Sequence, residues 1–167
     1  MVTLLSGPSE QQRRLQIRGL HHVTMLVENV DRSAAFYGEV LGFRVVKRTV
    51  NADDPNARHF FFSADAAGSP GSVVSCMEYP EMEQGHVGRG SIHHFALAVA
   101  SKEELEGWRQ YLESRGVSAT EVHDRTYFSS IYVRDPDQNL VEIACRNPGF
   151  TADEPEESLG QRLITPP

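Results

Sequence analysis

Two nine-residue stretches constrain this chain more than anything else in it. Residues 19–27 read Gly-Leu-His-His-Val-Thr-Met-Leu-Val, and residues 91–99 read Ser-Ile-His-His-Phe-Ala-Leu-Ala-Val. They lie 72 positions apart, each opens on a His pair, and each ends on Val. A repeat of this kind marks a duplicated supersecondary unit. Histidines at matching places in two copies meet where the copies pack, so a metal site is the first expectation.

The flanking sequence repeats as well. In copy one, Leu20–Val27 reads as a strand and Asp31–Leu41 as a helix, with Asp31 as N-cap and Gly42 as stop. Phe43–Val50, Arg58–Ser63 and Ser72–Tyr79 follow as strands, the last two joined by a Gly/Ser/Pro turn. In copy two, Ile92–Val99 reads as a strand. Ser101-Lys-Glu-Glu104 is a capping box before a helix that runs to about Arg115 and stops at Gly116. Val117–His123, Tyr127–Val133 and Asn139–Cys145 read as strands, with Asp135-Pro-Asp-Gln-Asn139 as the final turn. The expected fold class is α+β. Two βαβββ modules form a cupped, mixed, mostly antiparallel sheet with helices on its outer face. Module one spans 18–80 and module two 91–147 of a single domain 18–147, with a leader at 1–17 and a tail at 148–167.

Composition narrows the partners. A net charge of −7 argues against a nucleic-acid or anionic-membrane surface. No apolar run approaches membrane-spanning length, and residues 1–18 lack the order of a signal peptide. The expected location is the cytoplasm. Cys76 and Cys145 sit in apolar strand patterns and read as buried thiols rather than a disulfide.

Period-two alternation sorts each strand into two faces. Val23, Met25 and Val27 share one face of the first strand; His22, Thr24 and Leu26 share the other. His94, Ala96 and Ala98 oppose Phe95, Leu97 and Val99. In the last strand Val141, Ile143 and Cys145 oppose Leu140, Glu142 and Ala144. One face is bulky and apolar, suited to a helix. The other mixes small side chains with His22, His94, Glu142 and Tyr132, as a cavity lining does.

Glu142 stands between Leu140, Val141 and Ile143. A carboxylate in an apolar strand is tolerated when it is paired or bound to a cation. Two His and one Glu from three strands form a 2-His-1-carboxylate set, which holds Fe(II) or Mn(II) and leaves positions open. Zn and Ni also accept these ligand types. Aligning the copies through Pro80 and Pro148 puts Val74 in the place of Glu142, so the site has three protein ligands. Glu78 is the nearby carboxylate that would supply a fourth.

The paired His-His strands, the Phe36-Tyr37…Leu41-Gly42-Phe43 helix ending and Asp135-Pro-Asp…Val141-Glu-Ile resemble the vicinal oxygen chelate superfamily. That superfamily includes glyoxalase I, extradiol dioxygenases and small-molecule resistance proteins. Gly19-Leu-His-His-Val-Thr24, Lys47-Arg-Thr-Val-Asn-Ala-Asp-Asp-Pro55 and Gly68-Ser-Pro-Gly71 are similar to the start of ring-cleaving hydroquinone dioxygenases. Asp124-Arg-Thr-Tyr-Phe-Ser-Ser-Ile-Tyr132, Glu142-Ile-Ala, Asn147-Pro-Gly-Phe-Thr-Ala-Asp-Glu-Pro155 and Glu157-Ser-Leu-Gly160 are similar to their end. Members of that family are about twice as long, so this chain resembles their first module joined to their last. The resemblance implies metal ligation by His22, His94 and Glu142, and supporting roles for His21, Thr24, His93, Arg125 and Tyr132. His93 or His21 would accept a hydroquinone proton near neutral pH. Arg125 would offset negative charge, and Tyr132 would donate a hydrogen bond. His59, His86 and His123 have no evident partner and read as structural.

The leading expectation is therefore an Fe(II)- or Mn(II)-dependent dioxygenase, a homodimer, acting with O2 on a small dihydroxylated aromatic. Its site is either intrachain or shared across a swapped dimer. The alternatives are a glyoxalase-type lyase or isomerase using Ni or Zn, and a non-enzymatic protein that binds a small aromatic.

Overall fold

A computed structural model describes residues 17–150. The expected leader and tail lie outside this range apart from residues 17 and 148–150. Module one runs β1 (His22–Val27), α1 (Val30–Ala34), β2 (Arg44–Val50), β3 (Arg58–Ser63) and β4 (Val73–Glu78). Module two runs β5 (Phe95–Ala98), α2 (Lys102–Ser114), β6 (His123–Asp124), β7 (Phe128–Arg134) and β8 (Leu140–Arg146). Each module forms its own four-stranded sheet, ordered β1-β4-β3-β2 and β5-β8-β7-β6. β1 with β4 and β5 with β8 are parallel; the other pairs are antiparallel. The identical strand order confirms the duplication that the His-His repeat announces.

The helices start and stop for local reasons. Asn29, not Asp31, caps α1, since its Oδ1 accepts from the N–H groups of Asp31 (2.9 Å) and Arg32 (3.0 Å). Asp31 instead meets Arg58 Nη1 at 2.8 Å. After Ala34 the helix widens into a π-helical stretch, Ala35–Val40, and Gly42 (φ +76°) ends it in the left-handed region. In α2, Ser101 Oγ accepts from Glu104 N–H at 3.2 Å, while the Glu104 carboxylate reaches one residue further back, to Ala100 N–H at 2.8 Å. Gly116 (φ +75°) closes this helix.

Three expected strands are shorter than their sequence pattern. β1 starts at His22 rather than Leu20. β5 starts at Phe95, so His93 and His94 precede its ladder. Of Val117–His123, only an Ala119–Val133 bridge and the start of β6 pair with β7. There Thr120 Oγ1 takes the Tyr132 N–H at 3.0 Å, so a side chain occupies a backbone donor that a continuous ladder would use.

The inward faces of both sheets and one side of each helix make a single core. Tyr37, Phe62, Leu105, Leu112, Ile131 and Val141 have no exposed surface. Each such side chain contributes about 1.5–3 kcal/mol by burial. The turn after β7 ties the modules together at this side. Asp135 Oδ2 accepts from Tyr37 O–H at 3.0 Å, Glu28 N–H donates to Asp137 Oδ1 at 2.8 Å, and Arg32 Nη2 donates to Pro136 O at 3.0 Å. Cys76 and Cys145 are free and buried, and burial pushes the Cys76 thiol up to about 12. Among the described residues no helix is long and apolar enough to cross a membrane.

Candidate metal centre

The helix-free sheet faces carry most of the residues expected to build a site. On β1, Met25 and Val27 are buried against the core while His22, Thr24 and Leu26 are exposed. The register pairs His22 with Val73 and Thr24 with Ser75. In module two it pairs Ala96 with Glu142. Because His22 and His94 are repeat equivalents, Ser75 is the counterpart of Glu142. The proline alignment, which gives Val74, is off by one residue. The three-ligand expectation is unaffected, because serine is no carboxylate.

Glu78 does not supply a fourth ligand. It lies on the other face of β4, where Arg58 Nε donates to its Oε1 at 2.8 Å and Val30 N–H to its Oε2 at 3.0 Å. The Arg58 guanidinium holds its carboxyl below the ordinary value, outweighing the effect of burial.

Glu142 is 3% exposed. Its Oε2 meets His94 Nε2 at 3.0 Å, while Oε1, also buried, has no hydrogen-bond partner. An unpaired buried carboxylate oxygen costs about 1–3 kcal/mol or more. A cation held jointly with the imidazole removes that cost, so this donor pair fits a divalent metal. Tyr132 lies opposite Glu142 in the β7–β8 ladder, and its ring stands edge-on to His94 at 5.7 Å between centroids.

Both His pairs are built alike. His21 Nδ1 and His22 Nδ1 are 2.9 Å apart, and His93 Nδ1 and His94 Nδ1 are 2.8 Å apart. In each contact one nitrogen donates and the other accepts. If the inner ring donates through Nδ1–H, its Nε2 keeps a lone pair, as a metal ligand requires.

The structure brings Glu142, His94, His93 and Tyr132 together. It does not bring His22 to them. His22 belongs to the first sheet and Glu142 to the second, and among the described residues no three His, Cys, Asp or Glu side chains converge on one point. Arg125 sits exposed in the β6–β7 turn, where its N–H donates to Phe128 O at 2.9 Å.

The sequence reading passes over Ser75 and takes His59 as a structural residue without a partner. Ser75 is fully buried, with Oγ 2.7 Å from Thr24 Oγ1 and 3.1 Å from His59 Nε2. His59 is 8% exposed and packs on Phe61 at 4.2 Å between ring centroids. Burial, and then the neighbouring charge of His22, lower its pKa, which favours the neutral ring. Counting along the sequence does not find Ser75, because the His94-to-Glu142 spacing applied to His22 falls on Pro70; the β1–β4 register places it. His59 alternates with Phe60 and Phe62, which place it on the helix-free face.

The match to known proteins is extensive. The Glyoxalase/Bleomycin resistance protein/Dioxygenase superfamily matches residues 19–143. MhqO of Bacillus subtilis, which carries a ring-cleaving dioxygenase name, is 32% identical over 150 residues, covering 90% of this chain and 45% of MhqO. Glutathione transferase FosA of Serratia marcescens is 27% identical over 154 residues, covering 83% of this chain and 99% of FosA. A crystal structure of a Bacillus subtilis protein named as a dioxygenase superposes with a TM-score of 0.70 at 32% identity, covering 79% of this chain and 42% of that one. The chain thus spans about half the length of the ring-cleaving relatives it matches and nearly the full length of FosA. With the duplicated βαβββ order and the matched residues in agreement, the chain belongs to the glyoxalase/bleomycin resistance protein/dioxygenase superfamily.

Proposed function

We propose that the protein is a metal-dependent ring-cleaving dioxygenase for a small dihydroxylated aromatic such as a hydroquinone. In this reading a cytoplasmic homodimer builds each centre from His22 of one chain and His94 and Glu142 of the other. The half-paired carboxylate of Glu142 against His94 carries the proposal, because a cation shared with the imidazole satisfies the oxygen that no protein group reaches. The separation of His22 into the other sheet supports sharing between chains, and so does the exposure of Leu20 and Ile92 beside the two His pairs. The MhqO match supports the reaction class.

Bound Fe(II) or Mn(II) would supply a Lewis-acidic, redox-active centre with positions open to substrate and O2. The chain's own residues prepare the substrate. His93 or His21 accepts a phenolic proton through a ring nitrogen. Tyr132 donates a hydrogen bond beside Glu142, and Thr24 presents a hydroxyl beside His22. Arg125 offsets negative charge on the bound aromatic.

A second reading, a glyoxalase-type lyase or isomerase using Ni or Zn, draws on length alone: the chain spans nearly all of FosA, a relative named as a transferase and not as a dioxygenase, but about half of MhqO. Ser75 in the fourth position and the engagement of Glu78 with Arg58 weigh against a four-ligand centre. The test is oxygen uptake by Fe(II)-loaded protein given methylhydroquinone. Uptake that depends on both iron and substrate is expected. Protein with iron demonstrably bound that consumes no oxygen with any catechol or hydroquinone would overturn the proposal. Metal-dependent isomerisation without oxygen would establish the second reading.

A further inference from the structure

Thr24, Ser75 and His59 form a hydrogen-bonded row that leads from the site face into the sheet. Thr24 is an exposed residue two positions along β1 from His22. Behind it lies Ser75 Oγ at 2.7 Å, and behind that His59 Nε2 at 3.1 Å. Ser75 and His59 are on the first module's counterparts of the Glu142 and Ser130 positions, by register with β1 and with β3. One module therefore puts a carboxylate at this place, and the other puts a serine backed by an imidazole.

We propose that Ser75 and His59 are positioning residues that set the polarity of the Thr24 hydroxyl toward a substrate oxygen. The inference rests on the site face being a substrate site, as proposed above. A hydroxyl has one proton and each ring nitrogen is either donor or acceptor. If His59 Nε2 accepts, Ser75 O–H donates to it, Thr24 O–H donates to Ser75, and Thr24 Oγ1 offers lone pairs to a substrate hydroxyl. If His59 Nε2–H donates, the row reverses, and Thr24 donates to a substrate oxyanion. The tautomer of His59 thus decides which protonation state of a phenolic oxygen Thr24 recognises, without His59 touching substrate. Burial of Ser75 and His59 keeps water from replacing the bond between them.

The experiment uses the full chain, loaded with Fe(II) and given methylhydroquinone, in variants T24V, S75A, S75T and the double T24V/S75A. T24V and S75A are each expected to lower kcat about tenfold with KM little changed, in the range of other supporting-shell losses. S75T restores the hydroxyl and most of the rate. The double variant is no slower than T24V alone, because Ser75 acts through Thr24. In parallel, nitrogen chemical shifts of the His59 ring in metal-free protein are expected to move in S75A and return in S75T. Losses that add in the double variant overturn the proposal and leave the ring-cleavage reading intact, and so do His59 shifts unmoved by S75A. A wild-type protein that binds iron but consumes no oxygen overturns the ring-cleavage reading, and this role for Thr24 falls with it.

Discussion

At position 142 the chain accepts a folding cost that an apolar residue would avoid. Methionine has similar length and no polar oxygen to strand. We expect Glu142→Met to stabilise the metal-free protein by about 1 kcal/mol, from removal of the unsatisfied Oε1, and to abolish stoichiometric metal retention. Thermal unfolding without metal and elemental analysis after loading measure the two effects. A variant that loses stability and keeps its metal would refute the assignment. Legibility differed among these residues for a physical reason. Glu142 was visible because a carboxylate in an apolar strand demands an explanation. Ser75 was invisible because a serine in a strand demands none, and its significance lies in partners 51 and 16 positions away.

At the scale of elements, alternation read the strands' faces well, since burial of Met25, Val27, Val141, Ile143 and Cys145 follows the expected side. Strand ends were read less well. Backbone pairing stops where a side chain such as Thr120 takes the donor, and periodicity carries no trace of that. The cap of α1 was misplaced because Asp31 and Asn29 are both good caps by type, and only geometry shows that Asp31 faces Arg58 instead. The Arg58–Glu78 pair joins β3, β4 and the start of α1. Its Glu78 carboxyl sits below its ordinary value in the folded chain. The pair's contribution is therefore present above the unfolded value of 4.5 and is lost as pH falls below it. Urea unfolding at neutral pH and at about pH 3.5 should show a smaller drop in stability for Glu78→Gln than for the parent chain. An equal drop would show that the pair has no such role.

At the scale of the whole molecule the proposed centre requires His22 to meet His94 and Glu142 from another sheet. The turn at Asp135–Asn139 holds the modules by their helix-bearing sides, so the two chemistry-bearing sheet faces belong to separate sheets. If two chains complete each centre, inactive His22→Ala and Glu142→Ala proteins should rescue one another. After unfolding and refolding an equal mixture, half of the dimers are mixed and each holds one intact centre. Activity and bound metal should then return to about a quarter of the parent level. No recovery would place all three ligands within one chain. Neither the duplication nor the ligand types could have settled this in advance, because both arrangements use the same residues at the same sequence positions.

The clasp between Tyr37 and Asp135 lies within a single polypeptide, whereas the proposed centre lies between two. Integrity of the fold and competence for chemistry would therefore respond differently to concentration. On sufficient dilution the polypeptide would keep its circular dichroism spectrum while shedding its iron and falling silent, and concentrating it with fresh iron would switch it on again.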